Sequence, residues 1–329
     1  PSGSVSNAGA TVITAADIAA VIADKTSIPP EIIAGNLRQN RQMRIGELRE
    51  YLKSVIFGQD AAINAIADRL IMAYSGLSNK RGPMSVFLLI GPSGVGKTET
   101  ARQLSNFLFG SENTILRMGL IGFEDANFLA RLNTRPHSIV LFDEVDKANP
   151  DFVDDFLKIF DEGHISQPSG KMIDVSNTIF IMTSNLMPEK HIKIGSAGGG
   201  VRDTRIAVDD LKTFYRPEFL NRIDEIIVYN KLTENEVLKI LDLMIGELNA
   251  SLLKQYGSGI QFSDEARRAV AKEGFSEVYG ARELRRDFEK MVKVPLGEII
   301  LKRDIFRSRL WTVVLGKDGK IAIAEGDVK

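Results

Sequence analysis

Ser85-Val86-Phe87-Leu88-Leu89-Ile90 runs directly into Gly91-Pro92-Ser93-Gly94-Val95-Gly96-Lys97-Thr98. The first six residues form a continuous run of strand length. The next eight fit G-x-x-x-x-G-K-[ST], and helical patterning follows from Thr98 to Phe109. Strand, glycine turn and helix in that order are the context the motif requires. The glycines let backbone N–H groups curl around phosphate oxygens. Lys97 reaches the β- and γ-phosphates, and the Thr98 hydroxyl is placed for Mg²⁺. The helix adds its positive N-terminal end. By accident the pattern arises in on the order of one chain in a hundred of this size, so the flanking elements carry the decision.

Working outward, Ser138-Ile139-Val140-Leu141-Phe142, Thr178-Ile179-Phe180-Ile181-Met182 and Ile226-Ile227-Val228-Tyr229 are further apolar strands. Continuous apolar strands separated by helical segments predict a parallel sheet covered on both faces. The fold class is therefore α/β. Asp143-Glu144 follows the second of these strands, at the carboxyl end where α/β sheets place ligands. Asp143 is a candidate Mg²⁺ ligand, and Glu144 is placed to orient and deprotonate an attacking water. Residues 44–75 read as helix, interrupted at Val55-Ile56-Phe57-Gly58-Gln59.

The texture changes at Thr233. Thr233 and Glu236 make a capping box that opens an amphipathic helix to about Leu253. Helical patterns follow at 263–273 and 281–302. Leu310 to Val314 and Ile321 to Ala324 read as a hairpin. Ahead of the large domain, Thr14 and Asp17 cap a short helix that should stop before Ile28-Pro29-Pro30. The expected organisation is a linker-like lead-in over 1–30, a large α/β domain over 31–230 and a smaller, mostly helical α+β domain over 231–329.

Of 329 residues, 42 are basic and 43 acidic, which gives a net charge of -1 and no footprint of a dedicated nucleic-acid binder. No apolar run is long enough for a membrane span. With no cysteine, disulfides, thiolate metal sites and cysteine nucleophiles are excluded. That composition suits a reducing cytosol, and a cytoplasmic location is expected. His137, His164 and His191 have no metal-ligand spacing, and Gly195 to Gly200 reads as a flexible loop.

Several segments together resemble the Clp branch of AAA+ P-loop ATPases, the heat-shock unfoldases and disaggregases. They are Gly91 to Glu99, Asp143-Glu144-Val145-Asp146-Lys147-Ala148-Asn149-Pro150, Thr183-Ser184-Asn185, Arg216-Pro217-Glu218-Phe219-Leu220-Asn221-Arg222-Ile223-Asp224 and Gly280-Ala281-Arg282. The likeness runs from about Ala16 to the end. It is strongest to the second ATPase ring with its small C-terminal domain, and the stretch from Ala16 to Pro30 is similar to the segment that enters that ring from a first one. The resemblance implies ATP and Mg²⁺ as ligands. It implies Asn185 as a water-positioning sensor, and Arg222 as a finger reaching a neighbouring subunit's γ-phosphate. Arg282 would be a second sensor, and Ile56 and Phe57 would pack on adenine. An arginine that works across an interface implies a homo-hexamer acting on polypeptide substrates, served by an adaptor or an upstream ring. Without the resemblance, Asn185 reads as a turn residue and Arg222 as a surface partner of Asp224 or Glu225.

The chain departs from the family in two places. Its pore-loop stretch is Gly119-Leu120-Ile121-Gly122-Phe123-Glu124-Asp125, with Leu120 where the family has tyrosine, and the region before it is short. Leu120, Ile121 and Phe123 are the expected polypeptide contacts. Ile194-Gly195-Ser196 ends in serine where peptidase-docking relatives carry an apolar plug, which argues against docking to a Clp peptidase. Three functional readings follow: a polypeptide-threading motor, a secretion-associated relative that dismantles a protein assembly, and a slowly hydrolysing adaptor module.

Overall fold

The computed structural model describes residues 13–26, 37–77, 81–119, 125–148, 150–166, 170–186, 211–276, 280–302, 310–316 and 318–326. Among the described residues the first helices are α1 (Ala15–Thr26), α2 (Leu37–Val55) and α3 (Asp60–Tyr74). The Thr14–Asp17 cap forms in both directions: Thr14 N donates to Asp17 Oδ2 at 2.8 Å, and Asp17 N donates to Thr14 Oγ1 at 3.3 Å. The break between α2 and α3 falls in the predicted interruption.

The large sheet has five strands: β1 (Ser85–Ile90), β2 (Ile115–Arg117), β3 (Ile139–Phe142), β6 (Ile179–Ser184) and β7 (Glu225–Val228). Their order is β2-β3-β6-β1-β7, and every pairing is parallel. Every residue of β1, β3 and β6 is buried. The pleat sends alternate residues to opposite faces. Phe87, Leu89, Ile139, Leu141, Ile179 and Ile181 join the core beneath α2, α3 and α4 (Lys97–Phe109). Val86, Leu88, Val140, Phe142, Phe180 and Met182 join the other core, which α5 (Ala126–Thr134) and α6 (Pro150–Glu162) cover. A strand buried on both faces has no polar face to show, which is why the sequence reads as unbroken apolar runs.

A short hairpin, β4 (His164–Ser166) with β5 (Met172–Asp174), follows α6 in the chain and buries Ile165 and Ile173, and α7 (Pro217–Leu220) precedes β7. Asp224 anchors the start of β7. Its carboxylate accepts from Arg69 Nη2 at 2.8 Å and from Val86 N at 2.8 Å, both largely out of solvent.

The C-terminal part opens with α8 (Glu234–Tyr256), capped by Thr233 and Glu236 as expected. It continues with β8 (Gly259–Phe262), α9 (Asp264–Glu273), α10 (Leu284–Phe288), α11 (Val294–Lys302), β9 (Leu310–Leu315) and β10 (Ile321–Glu325). The predicted hairpin is β9–β10, and β8 adds a parallel third strand to it. The Asn249 side chain brackets that strand, bonding Ile260 N at 2.7 Å and Ile260 O at 2.8 Å. The single helix expected over 281–302 is instead α10, a π turn over Glu289–Lys293, and α11. Pro295 lies just past that turn and has no N–H for the Met291 carbonyl, so the regular register cannot run through it. Among the described residues, no helix is long and apolar enough to cross a membrane.

Candidate functional site

The strand order brings the carboxyl ends of β3, β6 and β1 side by side. From β1 the chain crosses to the β2 side of the sheet, while β7 lies on the other flank, so the crevice opens at a topological switch point. Three chain segments leave the sheet into it: Gly91 onward from β1, Asp143-Glu144 from β3 and Asn185 from β6.

The phosphate loop depends on its glycines. Gly94 and Gly96 have φ of 73° and 105°, a backbone region that suits glycine. At Gly91, with φ 152°, a Cβ would meet the Tyr229 carbonyl oxygen at 2.8 Å. Lys97 opens α4 and is buried, at 7% exposure. Its Nζ donates to Gly91 O at 2.6 Å, Pro92 O at 2.7 Å and Asn185 Oδ1 at 3.0 Å. Burial pushes the Lys97 ammonium down to about 8, against the pull of Asp146, Asp143 and Glu144.

Thr98 Oγ1 donates to Asp143 Oδ1 at 3.1 Å, and Thr183 Oγ1 donates to the same oxygen at 3.2 Å. Thr183 Oγ1 in turn accepts from Glu144 N at 3.1 Å. A hydroxyl and a carboxylate this close make an oxygen pair of the kind that suits Mg²⁺, whose remaining ligands are waters and phosphate oxygens. The residues present fit that ion.

Glu144 has φ 60°, the only positive value at a non-glycine among the described residues. Strained backbone of this kind collects at functional sites. Its two carboxylate oxygens are held separately. Asn185 Nδ2 donates to Oε1 at 3.1 Å, and Lys147 Nζ donates to Oε2 at 2.6 Å. The bond from Lys147 holds the Glu144 carboxyl below the usual carboxylate range, with a further contribution from Arg282.

The C-terminal part closes the other side. Ala281 N donates to Gly94 O at 3.1 Å, and Arg282 Nη1 lies 3.4 Å from Ser93 Oγ. A Cβ on Gly280 would come within 2.8 Å of Gly94 O, so this approach needs glycine there. The resulting cleft has a volume of about 610 Å³. Ser93 to Thr98, Asp143, Glu144, Asn185 and Arg282 line its polar end, and Ile56 and Phe57 line its apolar end. A cleft lined by phosphate-loop amides and cations together with apolar side chains fits a nucleotide, with phosphates on the polar lining and base on the apolar lining.

Gly91 and Pro92 lie at the root of the loop, where their carbonyls hold Lys97. Arg222 stands apart from the cleft. It pairs with Asp161 on α6, beside a second pair of Arg216 with Asp154 at 2.8 Å. The expected alternative partner Asp224 belongs to Arg69, so the surface pair exists with a different acid. Leu120, Ile121 and Phe123 fall outside the described residues, as do Ile194-Gly195-Ser196 and the Gly195 to Gly200 loop.

Sequence reasoning did not single out Lys147, Gln59 or Arg117. Arg117 Nη1 is 3.8 Å from Asp143 Oδ2. Nor did it find the apolar lining from the C-terminal part, Leu232, Ile240 and Met244. The helical spacing of the last two was visible, but not the cleft they face.

Residues 117–226 match the family model described as AAA domain (Cdc48 subfamily), and residues 232–312 match the C-terminal, D2-small domain, of ClpB protein. The chain is 32% identical to chaperone protein ClpB of Aquifex aeolicus, over 94% of this chain and 33% of that protein. It is 34% identical to the ATP-dependent Clp protease ATP-binding subunit ClpC of Staphylococcus epidermidis, over 94% of this chain and 40% of that one. The chain thus spans well under half the length of these relatives. Among solved structures, the Saccharomyces cerevisiae Hsp104-ADP complex superposes with a TM-score of 0.76 at 31% identity. That match covers 89% of this chain and 55% of that one.

Proposed function

The chain belongs to the Clp-type AAA+ ATPases, and on that premise we propose that it is the second-ring ATPase module of a protein-remodelling motor, with the large domain at 31–230 and the small domain at 231–329. It works in the cytoplasm as a homo-hexamer that draws polypeptide through a central channel. The observation that carries this reading is the joint hold on Glu144 and Lys97 by Asn185, which reaches both from the end of one strand.

The phosphate-loop amides and Lys97 bind the β- and γ-phosphates. Thr98 and Asp143 would hold Mg²⁺, and that ion would neutralise charge on the phosphate oxygens. Glu144, with Asn185, orients a water in line with the γ-phosphorus and takes its proton as the new P–O bond forms. The bond from phosphorus to the β–γ bridging oxygen breaks, and ADP leaves with that oxygen's electron pair. Arg282 meets the γ-phosphate from the small domain, and Arg222 meets it from a neighbouring subunit. Ile56 and Phe57 pack on adenine. The presence of Glu144, Asn185 and Arg282 in one cleft argues against a slowly hydrolysing adaptor.

Binding should be proton-linked. In the folded chain Lys97 titrates near 8, below its ordinary 10.5. A triphosphate beside it restores the charged form. Well below pH 8 the lysine is already charged and binding takes up little, whereas from pH 8 to about 10 binding must bring a proton in. Calorimetry of ADP or ATP binding in buffers of different ionisation enthalpy should read more proton uptake at pH 8 than at pH 7. Equal uptake at both pH values would remove the Lys97 assignment.

The motor itself is tested at Leu120, whose aliphatic side chain lacks the flat surface and hydroxyl of tyrosine. Reporter-protein unfolding is measured beside ATP consumption. Leu120→Ala should lower reporter unfolded per ATP consumed, and Leu120→Tyr should maintain or raise it. An unchanged ratio in Leu120→Ala would mean that this loop is not the grip.

A further inference from the structure

Gln59 is 1% exposed and occupies the N-cap position of α3, yet its side chain makes no capping bond. Its amide is used elsewhere. Oε1 accepts from Asn230 N at 2.9 Å, and Nε2 donates to Asn230 O at 2.9 Å. The same Nε2 lies 3.4 Å from Val95 O in the phosphate loop. One primary amide therefore pairs with a whole backbone unit 171 residues away and touches the phosphate loop as well.

Asn230 sits on the connection between β7 and α8. The residue before it is fixed to the large sheet. Tyr229 N donates to Ile90 O at 2.8 Å, and its buried hydroxyl bonds Thr100 Oγ1 at 2.9 Å. The α8 cap begins three residues after Asn230. Asn230 is thus the first position at which the path toward the small domain can turn, and Gln59 holds both of its backbone polar groups. A second contact runs alongside. Gly58 has φ 74°, and a Cβ there would lie 2.5 Å from the Glu236 carboxylate, which closes the α8 cap through Thr233 N at 2.6 Å. The loop that carries Ile56 and Phe57 therefore rests on the first turn of the helix that lines the cleft with Ile240 and Met244.

We infer that Gln59 is a positioning residue that ties the base-facing loop to the angle of the small domain, and so sets where Arg282 stands relative to the phosphates. This rests on the nucleotide site proposed above. A base packed on Ile56 and Phe57 fixes residues 55–59. Gln59 passes that placement to Asn230, and α8 and Arg282 move with it. A ligand shifts an equilibrium only through interactions that differ between two states, and this amide joins the two parts whose relation would differ. An apolar side chain of the same size takes away the partners of the Asn230 N–H and C=O, and water or a shifted connection must then satisfy these part-buried groups.

The native chain has no cysteine, so two introduced ones report distance cleanly. Asn113→Cys in the large domain and Arg268→Cys on α9 accept spin labels, with labelled chains diluted into unlabelled protein. Saturating ADP should shift the parent's distance distribution. With Gln59→Leu, ADP affinity measured by a fluorescent analogue should weaken by no more than about tenfold, and the shift at saturating ADP should disappear. A residue that only supports the fold would lower the melting temperature and leave the shift intact. A parent-like shift in Gln59→Leu therefore overturns the inference. A parent that binds ADP without any shift also overturns it and leaves the nucleotide site standing. A parent that does not bind ADP overturns both. Peptide-resolved hydrogen exchange on the unsubstituted protein covers the case where Gln59→Leu does not fold. ADP should slow exchange at 228–232 together with 91–98, and protection confined to 91–98 counts against the coupling.

Discussion

Glu144→Gln is expected to lower ATP turnover by about 10²-fold or more while nucleotide stays bound. The substitution keeps shape and length, and glutamine follows the same backbone through φ 60°, so the turn after β3 need not move. What disappears is the ability to take a proton from water. Asn185 Nδ2, now 3.1 Å from Oε1, still finds an amide oxygen there. Lys147 loses a charged partner, but one with about two-fifths of its side chain exposed, where such pairs contribute little to stability. The phosphate loop, Lys97 and the Thr98–Asp143 pair are untouched, so binding survives. ATP should then remain in an assembled ring that the parent would empty by hydrolysis. Turnover measured beside nucleotide retained after desalting separates the two effects. Parent-like hydrolysis in Glu144→Gln would remove this residue as the base.

The parts of the site that sequence alone revealed are those written in one stretch of chain. Gly91 to Thr98 declares its geometry because each glycine is required by the local backbone. Asp143-Glu144 is legible because a buried strand must end before two carboxylates. The three central strands were recognisable because burial on both faces leaves no polar position to obscure the run. Assignments that depend on distant chain were not legible. Gln59 gains its meaning only when β7 brings Asn230 beside it, and Asp224 could not be assigned to Arg69 before α3 packed against the sheet. Short elements were lost for a different reason. His164–Ser166 and Ile115–Arg117 are three residues each, too few to show a period of two. The roles of Asn185, Arg222 and Arg282 came from family likeness. The fold brings Asn185 and Arg282 into the cleft with Lys97 and Glu144, and leaves Arg222 on the surface.

Arg222→Ala is expected to reduce ATP turnover by about 10³-fold with almost no loss of stability, because its work lies in another subunit. In the single chain the Arg222 side chain is 44% exposed and paired with Asp161, itself 49% exposed. Exposed ion pairs of this kind add little to folding, so the melting temperature should barely move. A guanidinium that reaches a neighbour's γ-phosphate in the transition state would instead be missed at every turnover. Asp161→Asn provides the complementary result: it frees the arginine without removing it and should leave turnover near the parent's. Mixing then tests the geometry. Arg222→Ala subunits keep Glu144, and Glu144→Gln subunits keep Arg222, so neither ring is active alone. Where the two alternate, an intact Glu144 sits beside a neighbour's intact Arg222, and activity should rise above the sum of the separate proteins. Failure to recover in the mixture, together with an ATP-bound ring in which the Arg222 guanidinium points away from the neighbouring γ-phosphate, would leave Arg222 as no more than the surface partner of Asp161.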